Sequence, residues 1–182
     1  MTTTQNYFND PKSEKHAVKF LGEISFHPGK PEWHHFVKNK QVTSPFGWRT
    51  LPTGRNYHDG TDYTGHNKIA FAPCRCVVAK ILNPHPTQPY RFKYINGKWQ
   101  EVAPHTWTPY MILQSSHDPS IRFAFRHGKT NLSVGDEVNG GQYCYDVDGF
   151  GYSFGSHLHV DVYISDEKVN PDLFINSKLR GL

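Results

Sequence analysis

Hydrophobic and polar positions alternate along "SHLHVDVYI" (156–164). Leu158, Val160, Val162 and Ile164 fall on one side, and His157, His159, Asp161 and Tyr163 on the other. A period of two predicts a β-strand with its apolar face on the core and two imidazoles on the opposite face. The same texture recurs in "TPYMILQSS" and in "SIRFAFRHG", where Ile121, Phe123, Phe125 and His127 share one side and Arg122, Ala124 and Arg126 the other. "KIAFAPCRCVVAKIL" is a run of strand formers broken by Pro73, and "YRFKYINGKWQEV" predicts a hairpin turning at Asn96-Gly97. "LSVGDEVNGGQ" reads as a tight loop, "EKHAVKFLGEI" as a short helix or edge strand, and "VNPDLFINSKL" as a polar closing segment. The pattern predicts a mainly β, antiparallel fold with little helix. Its body spans 41–182, after an N-terminal extension over 1–40 that would dock to a partner or cover a groove. The Pro- and aromatic-rich stretch at about 83–110 interrupts the pattern and is expected to form an inserted hairpin or flap.

Composition narrows the classes. The 182 residues suffice for one well-buried core, and 15 Gly and 13 Pro suit short strands joined by turns. No apolar run approaches the roughly 18 residues of a membrane span, and the first residues carry no apolar leader core. A formal charge of +4 without a Lys/Arg cluster argues against nucleic acid as partner, while mild attraction to an anionic polymer such as a bacterial wall is compatible with it. Cys74, Cys76 and Cys144 cannot all pair, and are expected as reduced, buried packing thiols rather than a metal pair.

The histidine face needs an occupation. Residues i and i+2 of a strand stand ~7 Å apart on one face, so one of His157 and His159 can ligate an ion while the other overhangs it. In "NYHDGTDYTG", His58 and Asp62 would lie ~13 Å apart on a strand at about 3.3 Å per residue, and meet only if the chain turns, as Gly60 allows. Two ligands from that loop and one from the strand make a His₂Asp set with an open position, the arrangement of a catalytic zinc site rather than a structural one. His127, ending an apolar strand face, would by itself be a core histidine. His66 is the substitute ligand to consider, and Asp161 could orient a histidine from behind. Tyr57 and Tyr63 flank the ligand loop and could line a groove. "GYSFG" also fits a serine nucleophile elbow, but a strand rather than a helix follows it.

Together "SPFGWR" with "HDGTD", "FRHG", "VGDEVNGGQ" and "GYSFGSHLH", in this order across residues 42–164, resemble the lysostaphin-type zinc endopeptidases of peptidoglycan. The resemblance implies an antiparallel β-sheet groove fold, one Zn²⁺ ion held by His58, Asp62 and His159, and a catalytic pair of His127 and His157 beside it. It implies cleavage of peptidoglycan peptide bonds, in the cross-bridge or the stem peptide. Such a chain is expected from a phage, as a tail-associated wall-penetrating enzyme with tail-protein partners or as an endolysin held in the host cytoplasm until lysis. The family's aromatic-small-His-Leu run is replaced here by Phe125-Arg126-His127-Gly128, and the insertion at 83–110 is a second departure. The rival expectation on the same fold is a virion structural or wall-binding module that does not cut wall or cuts it only slowly.

Overall fold

The computed structural model describes residues 31–51, 54–64 and 67–182. "EKHAVKFLGEI" and His66 lie outside the described residues. The chain forms a central antiparallel sheet in the order β1 (Gln41–Ser44), β4 (Thr61–Thr64), β13 (Leu158–Ile164), β10 (Ile121–Arg126), β9 (Tyr110–Ser115), β6 (Cys76–Leu82) and β11 (Glu137–Val138). β13 is shared along one edge. Its first half pairs with β4 and its second half with β14 (Glu167–Val169). Three two-stranded ribbons complete the fold: β2 (Gly47–Leu51) with β3 (Gly54–His58), β5 (Ile69–Phe71) with β12 (Tyr143–Asp146), and β7 (Phe92–Ile95) with β8 (Lys98–Glu101). No helix among the described residues is long and apolar enough to cross a membrane.

The two-residue period sets what is buried. Phe123 and Phe125 of β10, Leu113 of β9, and Leu158, Val160 and Val162 of β13 all lie in the core on one face of the sheet. Each fully buried apolar side chain of this size contributes about 1.5–3 kcal/mol relative to exposure. The opposite face carries a smaller apolar cluster of Ile112, Ala124 and Tyr163, and beside it the histidines. The hairpin forms where expected, with Asn96 and Gly97 both at positive φ (51° and 78°) between β7 and β8. All three cysteines are free and buried.

Two segments differ from the pattern reading. "VNPDLFINSKL", read as a polar closing segment, is helical: Pro171–Leu179 form an α-helix, α1. Asn170 caps it, its side-chain oxygen accepting from Asp172 N at 3.0 Å and Leu173 N at 3.1 Å, and Pro171 opens the first turn. Phe174 and Ile175 anchor the helix to the core, Phe174 packing edge-on against Trp33. In addition, residues 31–40, read as the end of an extension, are tied into the body. Phe36 and Val37 are wholly buried, and Phe71 N donates to Phe36 O at 3.0 Å.

Because the cap satisfies two otherwise orphaned amides, Asn170→Ala should cost about 1 kcal/mol. Calorimetry should show Tm lower by about 2–4 °C.

Candidate metal centre

Sheet register assembles the site. His159 on β13 sits directly opposite Asp62 on β4 across one edge and opposite Arg126 on β10 across the other. Cross-strand partners share a face with their Cβ atoms about 5 Å apart, so Asp62 and His159 meet by pairing alone. His58 ends β3 and reaches the same point because only Asp59-Gly60 separate it from β4. The first two ligands therefore come from consecutive strand ends rather than from a loop. Gly60 also has a different role from the turning expected of it. Its φ is not left-handed, but a Cβ there would strike His159 Nε2 and lie 2.6 Å from Val160 O. The glycine is required by close approach.

Three donor atoms converge. His58 Nε2 lies 3.2 Å from His159 Nδ1 and 3.3 Å from Asp62 Oδ1, and His159 Nδ1 lies 2.8 Å from Asp62 Oδ1. Ligand atoms about 2.0–2.1 Å from a tetrahedral zinc are spaced about 3.3 Å apart, close to this triangle. Two ring nitrogens and a carboxylate oxygen facing one another need a cation between them, a proton or a metal. The residues present fit one zinc ion. Asp59, His159 and Asp161 form a second convergent group, but Lys168 Nζ already bridges Asp59 at 2.5 Å and Asp161 at 2.7 Å, which supplies the positive charge there.

Each imidazole has one nitrogen committed to an oxygen. His58 Nδ1–H donates to Pro45 O at 3.0 Å, His127 Nδ1–H to Phe150 O at 2.9 Å, and His157 Nδ1–H to Gly155 O at 3.0 Å. A carbonyl only accepts, so each of these rings carries its proton on Nδ1 and keeps a lone pair on Nε2. His159 is reversed: its Nε2–H donates to Asp161 Oδ1 at 3.2 Å, leaving Nδ1 for the centre. Asp161 is 0% exposed and also receives Arg126 Nε at 2.7 Å. It is the orienting carboxylate, buried rather than solvated, as metal-binding histidines commonly require.

His127 reaches the centre through a break in strand alternation. Its φ is 71°, in the left-handed region, and its ring lies 4.6 Å from that of His157 and 5.9 Å from that of His159, on the face opposite Phe125. Regular alternation would have left it on the core side. His157 immediately precedes β13, with Nε2 3.5 Å from Asp62 Oδ1. All five residues expected at the site, His58, Asp62, His127, His157 and His159, thus come together. Tyr57 is exposed beside Trp48, whereas Tyr63 is a core residue. Ser153 donates to Gly155 O at 2.6 Å and faces His157 from the Nδ1–H side, so no base is aimed at its hydroxyl. Sequence reasoning did not find Lys168, or Arg49, which hydrogen-bonds Ser44 Oγ and lies 3.8 Å from Asp62 Oδ2. Arg49 stands inside the "SPFGWR" motif, a signal that was present, whereas Lys168 carries none.

The environments separate the titrating groups. Burial opposes charge on His159, but Asp161 and Asp62 outweigh it and hold the imidazolium up to about 9. Burial also opposes charge on Asp62, but the hydrogen bond from His159 leads the interactions that override it, keeping the carboxyl well below the usual range. His127 is pushed well below the ordinary histidine value, first by burial and then by His157 and His159. Burial likewise lowers His157. His127 and His157 are neutral at pH 7, and His159 carries a second proton that a bound metal would have to displace.

No protein-family model matches the chain, and no curated protein matches it in sequence. Solved structures do match in fold. A zinc-containing peptidase from Vibrio cholerae aligns over 75% of this chain at 24% identity with a TM-score of 0.53. The catalytic domain of the antimicrobial peptidase lysostaphin from Staphylococcus simulans aligns over 76% of this chain and 93% of its own, at 20% identity and TM-score 0.52. A chain of the SpoIIQ-SpoIIIAH pore-forming complex aligns over 80% of this chain and 92% of its own, at 14% identity and TM-score 0.56. The chain spans 37% of the Vibrio cholerae peptidase and 56% of lysostaphin in its solution structure. The likeness establishes a shared antiparallel β-sheet fold.

Zinc requires His159 neutral, and its raised pKa favours the proton below about 9. Calorimetry at pH 7 in buffers of different ionisation enthalpy should therefore show about one proton released per zinc bound. Affinity should climb about tenfold per pH unit from 7 and level off near 9. A flat profile across that window would contradict this account of His159.

Proposed function

We propose that the chain is a zinc-dependent endopeptidase that cleaves peptide bonds of bacterial peptidoglycan. The observation that carries the reading is the convergence of His58 Nε2, Asp62 Oδ1 and His159 Nδ1, with two further neutral imidazoles over the same point. The fold it sits in is shared with structures described as a zinc-containing peptidase and as the antimicrobial peptidase lysostaphin. His58, Asp62 and His159 would hold the ion, which when bound supplies Lewis-acid polarisation of the scissile carbonyl and acidifies water.

The chain's own residues account for the rest of the chemistry. His157 Nε2 carries a lone pair close to Asp62, so it takes the proton of the attacking water. In its protonated form the same nitrogen donates to the carbonyl oxygen as charge develops there, or to the leaving amine. His127, buried and held by Phe150 O, keeps an Nε2 lone pair that accepts the remaining proton of the adduct and returns it to the leaving amine. Arg49, beside Asp62 Oδ2, draws that oxygen outward and leaves Oδ1 as the single inward donor. Asp161 and the two loop carbonyls keep all these rings from rotating.

A non-catalytic reading on the same fold draws on the SpoIIQ-SpoIIIAH pore-forming complex among the structural matches, an assembly rather than a peptidase by description. Against it, this chain fills every ligand and acid–base position with a competent side chain in a defined tautomer. A zymogram or turbidity assay on purified walls discriminates the two. Clearing that disappears with chelator and returns with zinc supports the enzyme; tight wall binding without clearing supports the module.

The division of labour among the histidines is testable by metal analysis alongside activity. His159→Ala should lose both zinc and clearing. His157→Ala should retain one zinc per chain while kcat/KM falls by about 10²–10⁴. A metal-free His157→Ala variant would refute the assignment.

A further inference from the structure

Beside His157, between the β7–β8 hairpin and the 148–156 loop, opens a cleft of about 190 Å³. Its lining mixes ring faces with polar groups: Tyr90, Phe92 and Trp99 on one hand, Lys93, Asp148 and Ser156 on the other. The aromatic wall continues through the loop, with Phe154 centred 4.5 Å and Tyr152 5.1 Å from Phe92, and Trp99 6.0 Å from Phe154. Packing within the wall does not cover it, since Trp99 remains 43% and Phe154 51% exposed. Large rings gathered and left open in one place mark a binding surface rather than a core. The cleft adjoins the catalytic pair directly. Ser153, which also lines it, stands 3.2 Å from His157 Nδ1, and the Trp99 indole lies over Gly155, whose carbonyl holds the same nitrogen.

We propose that this cleft is a saccharide subsite. It would take one pyranose ring of the wall's glycan strand while the attached peptide crosses the metal centre, and it rests on the reading of wall peptide as substrate. Whole small ligands occupy pockets of about 300–1000 Å³, so a cleft of this size suits one unit of a polymer. A pyranose presents axial C–H groups on one face and hydroxyls around its rim. The wall supplies aromatic faces for the first, and the lining supplies both donors (Lys93, Ser156) and an acceptor (Asp148) for the second. A nucleic acid would stack on such rings, but needs a cationic groove, and here Lys93 is balanced by Asp148. An apolar peptide side chain would meet the rings but make no use of Lys93, Asp148 or Ser156.

The test is calorimetric titration of the full chain with a β-1,4-linked N-acetylglucosamine tetramer, and separately with a glycan-free stem peptide. The tetramer should bind saturably, and Trp99→Ala and Phe154→Ala should each raise its Kd by about tenfold or more, with melting temperature and zinc content unchanged. The proposal is overturned if the tetramer does not bind, if both variants bind it as the native chain does, or if the stem peptide competes it out of the cleft. Wall clearing is scored independently. Tetramer binding without clearing overturns the peptidase reading and leaves the subsite standing, and clearing without tetramer binding does the reverse.

Discussion

Everything at the site hangs on one buried carboxylate. Asp161 has no exposed surface, and its charge survives there because Arg126, Lys168 and His159 surround it from β10, β14 and its own strand. Burial works against that charge, and Arg126, His159 and Lys168 override it, holding the carboxyl well below its ordinary range. Desolvating an ion costs several kcal/mol, and removing one partner of such a buried set costs about 3–5 kcal/mol because the remaining charge is stranded. The three strands are therefore locked in one register. A slip of one residue would turn Asp161 into the apolar core and carry His159 with it. Lys168 extends the lock by reaching Asp59, inside the short connection that brings His58 to Asp62.

From this constraint follows a division of roles among residues of one type. His159 leans on an anion, which makes its inward nitrogen basic and a strong donor to a cation. His127 and His157 lean on neutral carbonyls, and burial keeps them uncharged at neutral pH. The anion behind His159 raises the basicity of its inward nitrogen, whereas His58, which like His127 and His157 leans on a carbonyl, joins the donor triangle by its position at the end of β3. Identical side chains a few ångströms apart are thereby poised for opposite tasks, the arrangement that acid–base chemistry at neutral pH requires.

How much of this was legible in the sequence varies by physical cause. Strands β9, β10 and β13 and the Asn96-Gly97 hairpin were readable because period-two patterning and turn chemistry are local. The convergence of His58, Asp62 and His159 was readable because their types and order are distinctive. Helix α1 was missed although Asn170 and Pro171 signal a helix start, because its only buried apolar residues past the first turn are the adjacent pair Phe174 and Ile175, which trace no helical period. His127's left-handed backbone, the burial of Asp161 and the reach of Lys168 depend on which strands are neighbours, and pairing partners do not appear in a linear pattern. Gly60 was noticed for the wrong property: the chain needs its missing Cβ rather than its freedom to turn.

The insertion at 83–110 gains a role from the same reasoning. Its hairpin and the irregular segments flanking it, at Tyr90 and Thr108, brace the loop whose carbonyls hold His127 and His157. Tyr90 hydroxyl bonds Asp148 at 3.0 Å and its ring stacks on Phe150 at 4.9 Å, while Thr108 Oγ1 receives Tyr152 N at 3.2 Å. A Cβ on Gly151 would collide with Thr108, so loop and insertion are fitted at backbone contact. Phe150 and Gly155, whose carbonyls hold His127 and His157, lie on this braced loop. Whatever settles against the aromatic wall thus presses on the element that orients the two imidazoles. On the proposed peptidase reading, binding at this wall beside His157 bears on the geometry of the reacting centre, where it counts towards the transition state rather than towards affinity alone.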